Sequence, residues 1–314
     1  MGILVARTRS ELRSMIASLK STLQDAGVRP QVGFVPTMGA LHDGHATLVR
    51  RSSKENSITV VSVFINPKQF AANEDLDKYP RTFADDCALC EKAGAQVVFA
   101  PTNEEMYPAD FKSKVSVDEL GDVLCGAHRP GHFDGVCTVV MLLMNLVSPD
   151  KAYFGLKDFQ QFAIISRMMR DLEHRTRIIG VPTVREHDGL AMSSRNKYLD
   201  TQARQVAACI PLALCAGAEC FLGGVSEVSK ILAACMEHLT PVGGFELQYL
   251  ELRNSKTLSA VTGNITQESV LALAGFASGA DGVRTRLIDN VLLTHDPNHL
   301  EALLDFVRLV SKTR

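Results

Sequence analysis

The sequence predicts an α/β chain: a doubly wound parallel sheet followed by a second, smaller α+β domain. Three observations predict it. Short β-like runs alternate with helical patterns up to about residue 185, the pattern of parallel strands with helices on both faces. One strand-to-helix junction, residues 36–45, carries two glycines and two histidines, as a ligand-binding turn at a strand's carboxyl end would. From about Glu186 the order changes to two helices and then three short strands.

Each element has its own signal. Residues 8–26 read as an amphipathic helix, with Thr8 and Glu11 as a capping box, Leu12, Met15, Ile16, Leu19 and Leu23 as one stripe, and Gly27 at its end. Residues 31–35 are a short strand, and a helical pattern starts near Ala46. Residues 58–64 form a continuous apolar run typical of a buried strand. A helix over 82–93, with Thr82 and Asp85 at its start and Gly94 at its end, precedes a strand at 96–99. A helix over 136–147 precedes a strand at 151–154. The helix over 158–172 is apolar nearly all round, hence central, and residues 177–181 close the series. Helices at 201–222 and 226–239 follow, then strands near 245–252, 268–275 and 284–289. The domains are set at 1–185, 186–293 and a helical tail at 294–314. In the tail, Asn298 and Glu301 cap a helix after Pro297, and Leu300, Leu303, Leu304, Val307 and Val310 make a stripe. So wide a stripe is expected to dock on the second domain or on another subunit. With no motif beyond residue 200, the tail is assigned to packing.

The bulk properties exclude several classes. A chain of 314 residues has ample core for one large domain or two smaller ones. Its 46% hydrophobic and 22% charged content are ordinary for a soluble globular protein. A net charge of −2 argues against a broad nucleic-acid surface. The longest apolar stretch, 139–147 interrupted by Asn145, is too short to span a membrane. Arg7, Arg9, Glu11 and Arg13 stand where a signal peptide would have its apolar core. Eight cysteines show no paired motif, and Cys87 and Cys90 read as buried thiols on a helix. The expectation is a cytoplasmic protein without membrane or nucleic-acid partners.

Residues 36–45 read Pro-Thr-Met-Gly-Ala-Leu-His-Asp-Gly-His. A helix N-terminus offers free N–H groups and a positive dipole end to phosphate. Gly39 and Gly44 let backbone approach a ligand closely. His42 and His45 share one face of the first turn and can stabilise charge developing at phosphorus. The turn is neither a Walker loop nor a GxGxxG turn. Taken alone, two histidines at this spacing would be capping surface residues. Zinc would need a third ligand, and no nearby residue is an obvious one. The preceding strand and Pro-Thr-Met-Gly favour a nucleotide. The element resembles the HxGH signature of nucleotidylyl transferases, which attack the α-phosphate of ATP.

Other segments are weaker alone. Asn66 and Gln69, in Phe-Ile-Asn-Pro-Lys-Gln-Phe past a strand end, offer donors and acceptors, or are an ordinary polar loop. Lys157 and Gln161, in Gly155-Leu156-Lys157-Asp158-Phe159-Gln160-Gln161, suit a phosphate and a substrate, or are a solvated lysine and a helix cap. Met192-Ser193-Ser194-Arg195 supplies hydroxyls and a guanidinium for a departing pyrophosphate, or a serine N-cap. Arg129-Pro130-Gly131-His132-Phe133 is a turn with two basic groups, or a surface loop.

Together PTMGALHDGH, FINPKQF, DLDKYPRT, RPGHFDGV, FGLKDFQQ and MSSRNKYL, in this order from about residue 30 to about 200, resemble the pantoate–β-alanine ligase family. Looser similarity continues to Arg286-Leu287-Ile288-Asp289-Asn290. The resemblance implies a Rossmann-like catalytic domain, a smaller covering domain and a homodimer. It implies ATP with Mg²⁺ as co-substrate, no prosthetic group, and pantoate and β-alanine as substrates joined through pantoyl-adenylate. Carried over by position, Met38, Gly39, Ala40, Leu41, His42, Asp43, Gly44 and His45 form the ATP turn. Gly155, Leu156, Lys157, Asp158, Val184, Met192, Ser193, Ser194 and Arg195 contact ATP, with Lys157 and Arg195 on its phosphates. Gln69 and Gln161 hold pantoate, and Asp85 and Asp86 are candidate Mg²⁺ ligands or simply N-terminal helix acids. His45 is better described as a transition-state stabiliser than as a proton donor, since a carboxylate nucleophile has no proton to lose. Two rivals stand beside this reading. Another HxGH transferase would want Arg or Lys where Gln69 and Gln161 stand, and a non-catalytic nucleotide sensor would usually have lost His45, Lys157 or Ser193-Ser194. The departures from the family are Asn254 in place of an aspartate, a longer loop at 277–282, and the tail.

Overall fold

The computed structural model describes residues 2–70, 76, 79–240, 242–280 and 282–313. Part of the DLDKYPRT segment, and Asp281 of the 277–282 loop, lie outside the described residues. The chain forms two compact units. Unit 1 comprises Met1–Asp122, Gly126–Leu156 and Ile164–Val181; unit 2 comprises Val123–Cys125, Lys157–Ala163 and Pro182–Arg314.

The first half of the chain contains strands β1 (Leu4–Ala6), β2 (Val32–Thr37), β3 (Ile58–Val63), β4 (Val97–Phe99), β5 (Lys151–Gly155) and β6 (Arg177–Val181). Between them run helices α1 (Arg9–Asp25), α2 (Asp43–Glu55), α3 (Phe83–Lys92), α4 (Asn103–Met106), α5 (Cys125–His128), α6 (His132–Val147) and α7 (Phe159–Asp171). The strands form one parallel sheet in the order β1-β4-β3-β2-β5-β6. The chain leaves β2 toward β3 and β4, then crosses back to place β5 on the other side of β2. Ligands of such sheets bind at this reversal, past the carboxyl ends of the two strands. Here those ends are Thr37 and Gly155.

Most boundaries follow local chemistry. Thr8 caps α1, its hydroxyl accepting from Glu11 N–H while Glu11 accepts from Thr8 N–H. Helix α2 starts at Asp43, not near Ala46, because His42 acts as N-cap. Helix α6 starts at His132, so the last two residues of the Arg129–Phe133 segment read as a turn are helical. Strand β1 carries no sequence signal of its own: three residues are too short for a periodic pattern. Val35, Val49, Val61, Val98 and Tyr153 are fully buried in one core cluster of unit 1. The end of α2 is tied to β5, where Glu55 accepts from Arg51, Lys151 and the Tyr153 hydroxyl at 2.9, 3.2 and 3.0 Å.

Unit 2 holds helices α8 (Thr201–Ala207), α9 (Cys209–Leu222) and α10 (Val228–Leu239) and an antiparallel sheet of β7 (Phe245–Asn254), β8 (Ser269–Ser278) and β9 (Arg284–Leu293). Helix α11 (Pro297–Ser311) follows. The run Thr201–Leu222 is long and apolar enough to cross a membrane, with mean hydropathy 1.7. Its second part, α9, is the central helix of this core: Ile210, Ala213, Leu214 and Cys215 are fully buried among Leu271, Leu273 and Leu293. Leu303, Phe306 and Val310 of α11 complete the same core. The cap of α11 is Asp296 instead of Asn298, its carboxylate accepting from Asn298 N–H at 2.9 Å with Pro297 in the first turn. Asn254 fills its turn without a carboxylate, accepting from the N–H groups of Lys256 and Thr257 at 2.9 and 3.0 Å. Residues 277 and 278, expected in a loop, still belong to β8.

Candidate active site

In unit 1 the turn after β2 is held from below. The Thr37 hydroxyl donates to Ser62 O at 2.6 Å and accepts from Gly39 N–H at 3.3 Å. The chain then passes through two left-handed residues, Gly39 (φ +85°) and Ala40 (φ 51°). A Cβ on Gly39 would lie 3.0 Å from Asp86 Oδ2 and 3.1 Å from Val63 Cγ1, so both conformation and space call for glycine. Asp86 clamps the turn: its carboxylate accepts from Ala40 N–H at 3.1 Å, Leu41 N–H at 2.8 Å and the Thr82 hydroxyl at 3.1 Å. Such charge-assisted bonds offset the roughly 1–2 kcal/mol that a non-glycine residue loses in this conformation. The acid pair read as a magnesium site is therefore divided. Asp86 is 2% exposed and committed to the turn, while Asp85 is exposed on the first turn of α3.

The two histidines cap α2 reciprocally. His42 Nδ1 accepts from Gly44 N–H at 3.2 Å, and His45 Nδ1 accepts from His42 N–H at 3.3 Å. The rings stand 4.1 Å apart between centroids, tilted by 42°. With Nδ1 accepting, each neutral ring carries its proton on Nε2. Two Nε2–H donors are thus fixed at a helix N-terminus, where the backbone already favours an anion.

Gln69 lies beside this turn. Its side-chain N–H donates to Met38 Sδ at 2.9 Å, a soft acceptor that a substrate oxygen would outcompete. The rest of Gln69 is pinned: Asn66 donates to its Oε1 at 3.1 Å, and its carbonyl receives His132 Nδ1 at 2.7 Å and Arg129 Nη2 at 3.5 Å. Asn66, read as a substrate contact, is 1% exposed and bonded through both amide atoms. It donates to Gln69 and to Gly135 O at 3.1 Å and accepts from Lys68 N–H at 3.3 Å and the Tyr107 hydroxyl at 2.8 Å. It positions Gln69 and is not available to a ligand. Close approach explains the second glycine of RPGHFDGV, Gly135, since a Cβ there would sit 2.2 Å from Lys68 O.

In unit 2 the backbone carbonyl of Lys157 accepts from Asn290 Nδ2 at 2.7 Å, and its ammonium lies 3.5 Å from Asp158. Gln160 is buried, bonding Cys125 N–H and Val123 O at 2.9 and 2.6 Å. Its neighbour Gln161 is half-buried, and no bond of its side-chain amide is found among the described residues. Residues 184–192 form a tight hairpin, with Met192 N–H donating to Val184 O at 3.0 Å and Glu186 N–H to Leu190 O at 2.8 Å. Ser193 caps the turn Ser194–Tyr198, accepting from Arg195 N–H at 3.3 Å. The capping role and a ligand role for this serine use different lone pairs and are compatible. Arg185 is a positioning residue that sequence reasoning missed; Asp86, Arg129 and His132 are visible to it, but as a metal candidate and as the basic groups of a turn, not as positioning residues. Only the glycine pattern of RPGHFDGV carried a signal for one of these clamps.

A parallel sheet with a clamped, doubly histidine-capped turn at its reversal point defines a nucleotide-binding protein of the HxGH transferase type. The profile of the family described as pantoate-beta-alanine ligase matches residues 4–292. The chain is 49% identical over 284 residues to pantothenate synthetase 1 of Bradyrhizobium diazoefficiens, covering 90% of this chain and 98% of that protein. It superposes on the crystal structure of pantothenate synthetase from Thermus thermophilus with a TM-score of 0.81 and 43% identity, covering 92% of this chain and 99% of the other. The pantoate-beta-alanine ligase of Francisella tularensis, solved in complex with beta-gamma ATP and beta-alanine, matches with a TM-score of 0.71 and 29% identity, covering 93% and 98%. The chain belongs to the pantoate–β-alanine ligase family and is a ligase.

Proposed function

We propose that this chain condenses pantoate with β-alanine at the expense of ATP, releasing AMP and pyrophosphate. A pantoate carboxylate oxygen attacks the α-phosphorus, the bond to the β-phosphate oxygen breaks, and pyrophosphate leaves. The amine of β-alanine then attacks the pantoyl-adenylate carbonyl, loses a proton and expels AMP. The observation that carries this reading is the pair of histidines at one helix start with Nδ1 fixed as acceptor, which leaves the proton of each neutral ring on Nε2. Such preorganised donors stabilise the charge gained by phosphoryl oxygens without reorganisation.

In this reading the turn from Met38 to His45 receives the triphosphate, and Lys157 and Arg195 neutralise the leaving pyrophosphate. Ser193 and Ser194 add hydroxyl donors, Gly155, Leu156 and Asp158 border the nucleotide, and Val184 contacts adenine through its backbone. Gln69 and Gln161 hold pantoate, with Gln69 exchanging the Met38 sulfur for a substrate oxygen. Magnesium enters with ATP, as the metal complex that is the true substrate; Asp86, whose oxygens already accept three hydrogen bonds, is not assigned to it. A homodimer in the cytoplasm is the assembly and location this reading entails. Incubating the protein with ATP, Mg²⁺, pantoate and β-alanine and quantifying AMP and pantothenate tests it. Equimolar formation of both, dependent on all substrates, is expected. AMP transfer to a phosphorylated acceptor instead would favour another HxGH transferase.

A further inference from the structure

Helix α11 lies outside residues 4–292, the span matched by the family profile, yet it touches Arg185 and Gly189 of the hairpin between Val184 and Met192, two residues assigned to the nucleotide. The guanidinium of Arg185 sits over the ring of Phe306 on α11, 4.1 Å from its centroid. Its side chain is 7% exposed, and its partner Asp289 on β9 is 1% exposed. Arg185 donates to both carboxylate oxygens of Asp289 at 2.6 and 3.0 Å, to Gly189 O at 2.9 Å and to Asn290 O at 3.2 Å. Asn290 in turn donates its side-chain N–H to Lys157 O. A second contact runs beside the first. Gly189 turns the 184–192 hairpin at φ +85°, and a Cβ there would meet Val310 Cγ2 at 2.8 Å.

We infer that α11 is a positioning brace for the nucleotide residues of unit 2: Phe306 orients Arg185, which shapes the hairpin leading to Met192–Arg195 and, through Asp289 and Asn290, sets the backbone of Lys157. This rests on the assignment of Lys157 and residues 192–195 to ATP. It revises the expectation that the tail serves packing alone. The physical reason for the coupling is that Arg185 is a buried fork with fixed geometry. Its planar group is held on one face by the aromatic ring and along its edge by a bidentate carboxylate, so a shift of α11 is transmitted without slack. A leucine at position 306 keeps the position apolar and takes away the aromatic face.

The test compares Phe306→Leu with Phe306→Tyr, which keeps the aromatic face, and with the milder Val310→Ala. Dissociation constants for ATP are read by calorimetry, with KM for ATP and β-alanine, kcat and melting temperature measured on the same samples. Phe306→Leu is expected to weaken ATP about 3- to 10-fold, the range of a partly desolvated cation–π contact, with KM for β-alanine within twofold of wild type. Val310→Ala should move the ATP constant in the same direction by less, and Phe306→Tyr should restore it. A Phe306→Leu or Val310→Ala protein with a lowered melting temperature and unchanged ATP affinity overturns the brace. So does an equal loss for ATP and β-alanine. A wild type that binds ATP but forms no pantothenate would defeat the functional reading while the ATP constants still decide the brace; a wild type that binds no ATP defeats both.

Discussion

At Asp86 a carboxylate on α3 closes a turn that follows β2, although 46 residues of chain separate it from Ala40. Replacing it by asparagine leaves one acceptor oxygen and sets an N–H against an N–H. Asp86→Asn is expected to cost about 1–3 kcal/mol, read as a lower melting temperature, and to raise KM for ATP although Asp86 does not face the nucleotide. His45 separates two roles in one ring. His45→Asn keeps an acceptor for His42 N–H and removes Nε2–H; His45→Ala removes both. Both variants should lose about 10²–10³-fold in kcat, while only the alanine variant should melt earlier. An asparagine variant with near-normal turnover would deny His45 its charge-stabilising role. These residues also mark the limit of what sequence shows. His42, His45 and Gln69 are visible as motif members, whereas Asn66 and Gln160 look the same on paper as Gln69 and Gln161. An amide bonded to backbone and an amide offered to substrate differ only in what surrounds them, and that is set by chain far away, such as Gly135 and Val123.

Among elements, α2 is the one whose two ends serve different purposes. Its start presents the histidines, and its end is anchored to β5 through Glu55. The hydrogen bond from Arg51 leads in holding the Glu55 carboxyl down to about 2, against burial and with help from Tyr153 and Lys151. A group whose folded pKa is depressed contributes stability that is fully present above its unfolded value of about 4.5 and is lost as pH falls through about 2. Acid unfolding followed by circular dichroism should therefore be shallower between those values in Glu55→Gln, which starts less stable at neutral pH. Wild-type-like acid sensitivity in that variant would show that the anchor contributes nothing measurable. The ends of elements are legible where capping chemistry is ordinary, as at Thr8. They are displaced at α2 because histidine is not among the usual capping residues, and at α11 because Asp296, not Asn298, takes the cap.

For the molecule as a whole, composition and periodicity are enough to read a parallel α/β sheet and a separate α+β region. They cannot give the strand order, since nothing local tells β5 to lie beside β2, nor that the apolar run Thr201–Leu222 is largely buried in the core of unit 2. The eight cysteines are all free thiols, and six of them are buried. Burial pushes the thiols of Cys90, Cys137, Cys209 and Cys235 up to about 12, so they stay protonated and inert near pH 8. Titration with a thiol reagent at pH 8 should give rapid reaction at Cys87 and Cys220 only, and all eight thiols after denaturation. Rapid native labelling of a buried cysteine would mean that its core opens locally. Unit 2, finally, is assembled from three separated stretches of chain. On a ribosome, the strands of unit 1 have all been synthesised once Val181 is added. The short stretches at 123–125 and 157–163 must instead wait: Cys125 for Tyr249, and the Lys157 carbonyl for Asn290. Synthesis order therefore sets a delay into this protein, during which Lys157, proposed above for the nucleotide, is made but not yet placed, and a nascent chain halted before β9 would carry the histidine turn without the Lys157 carbonyl fixed.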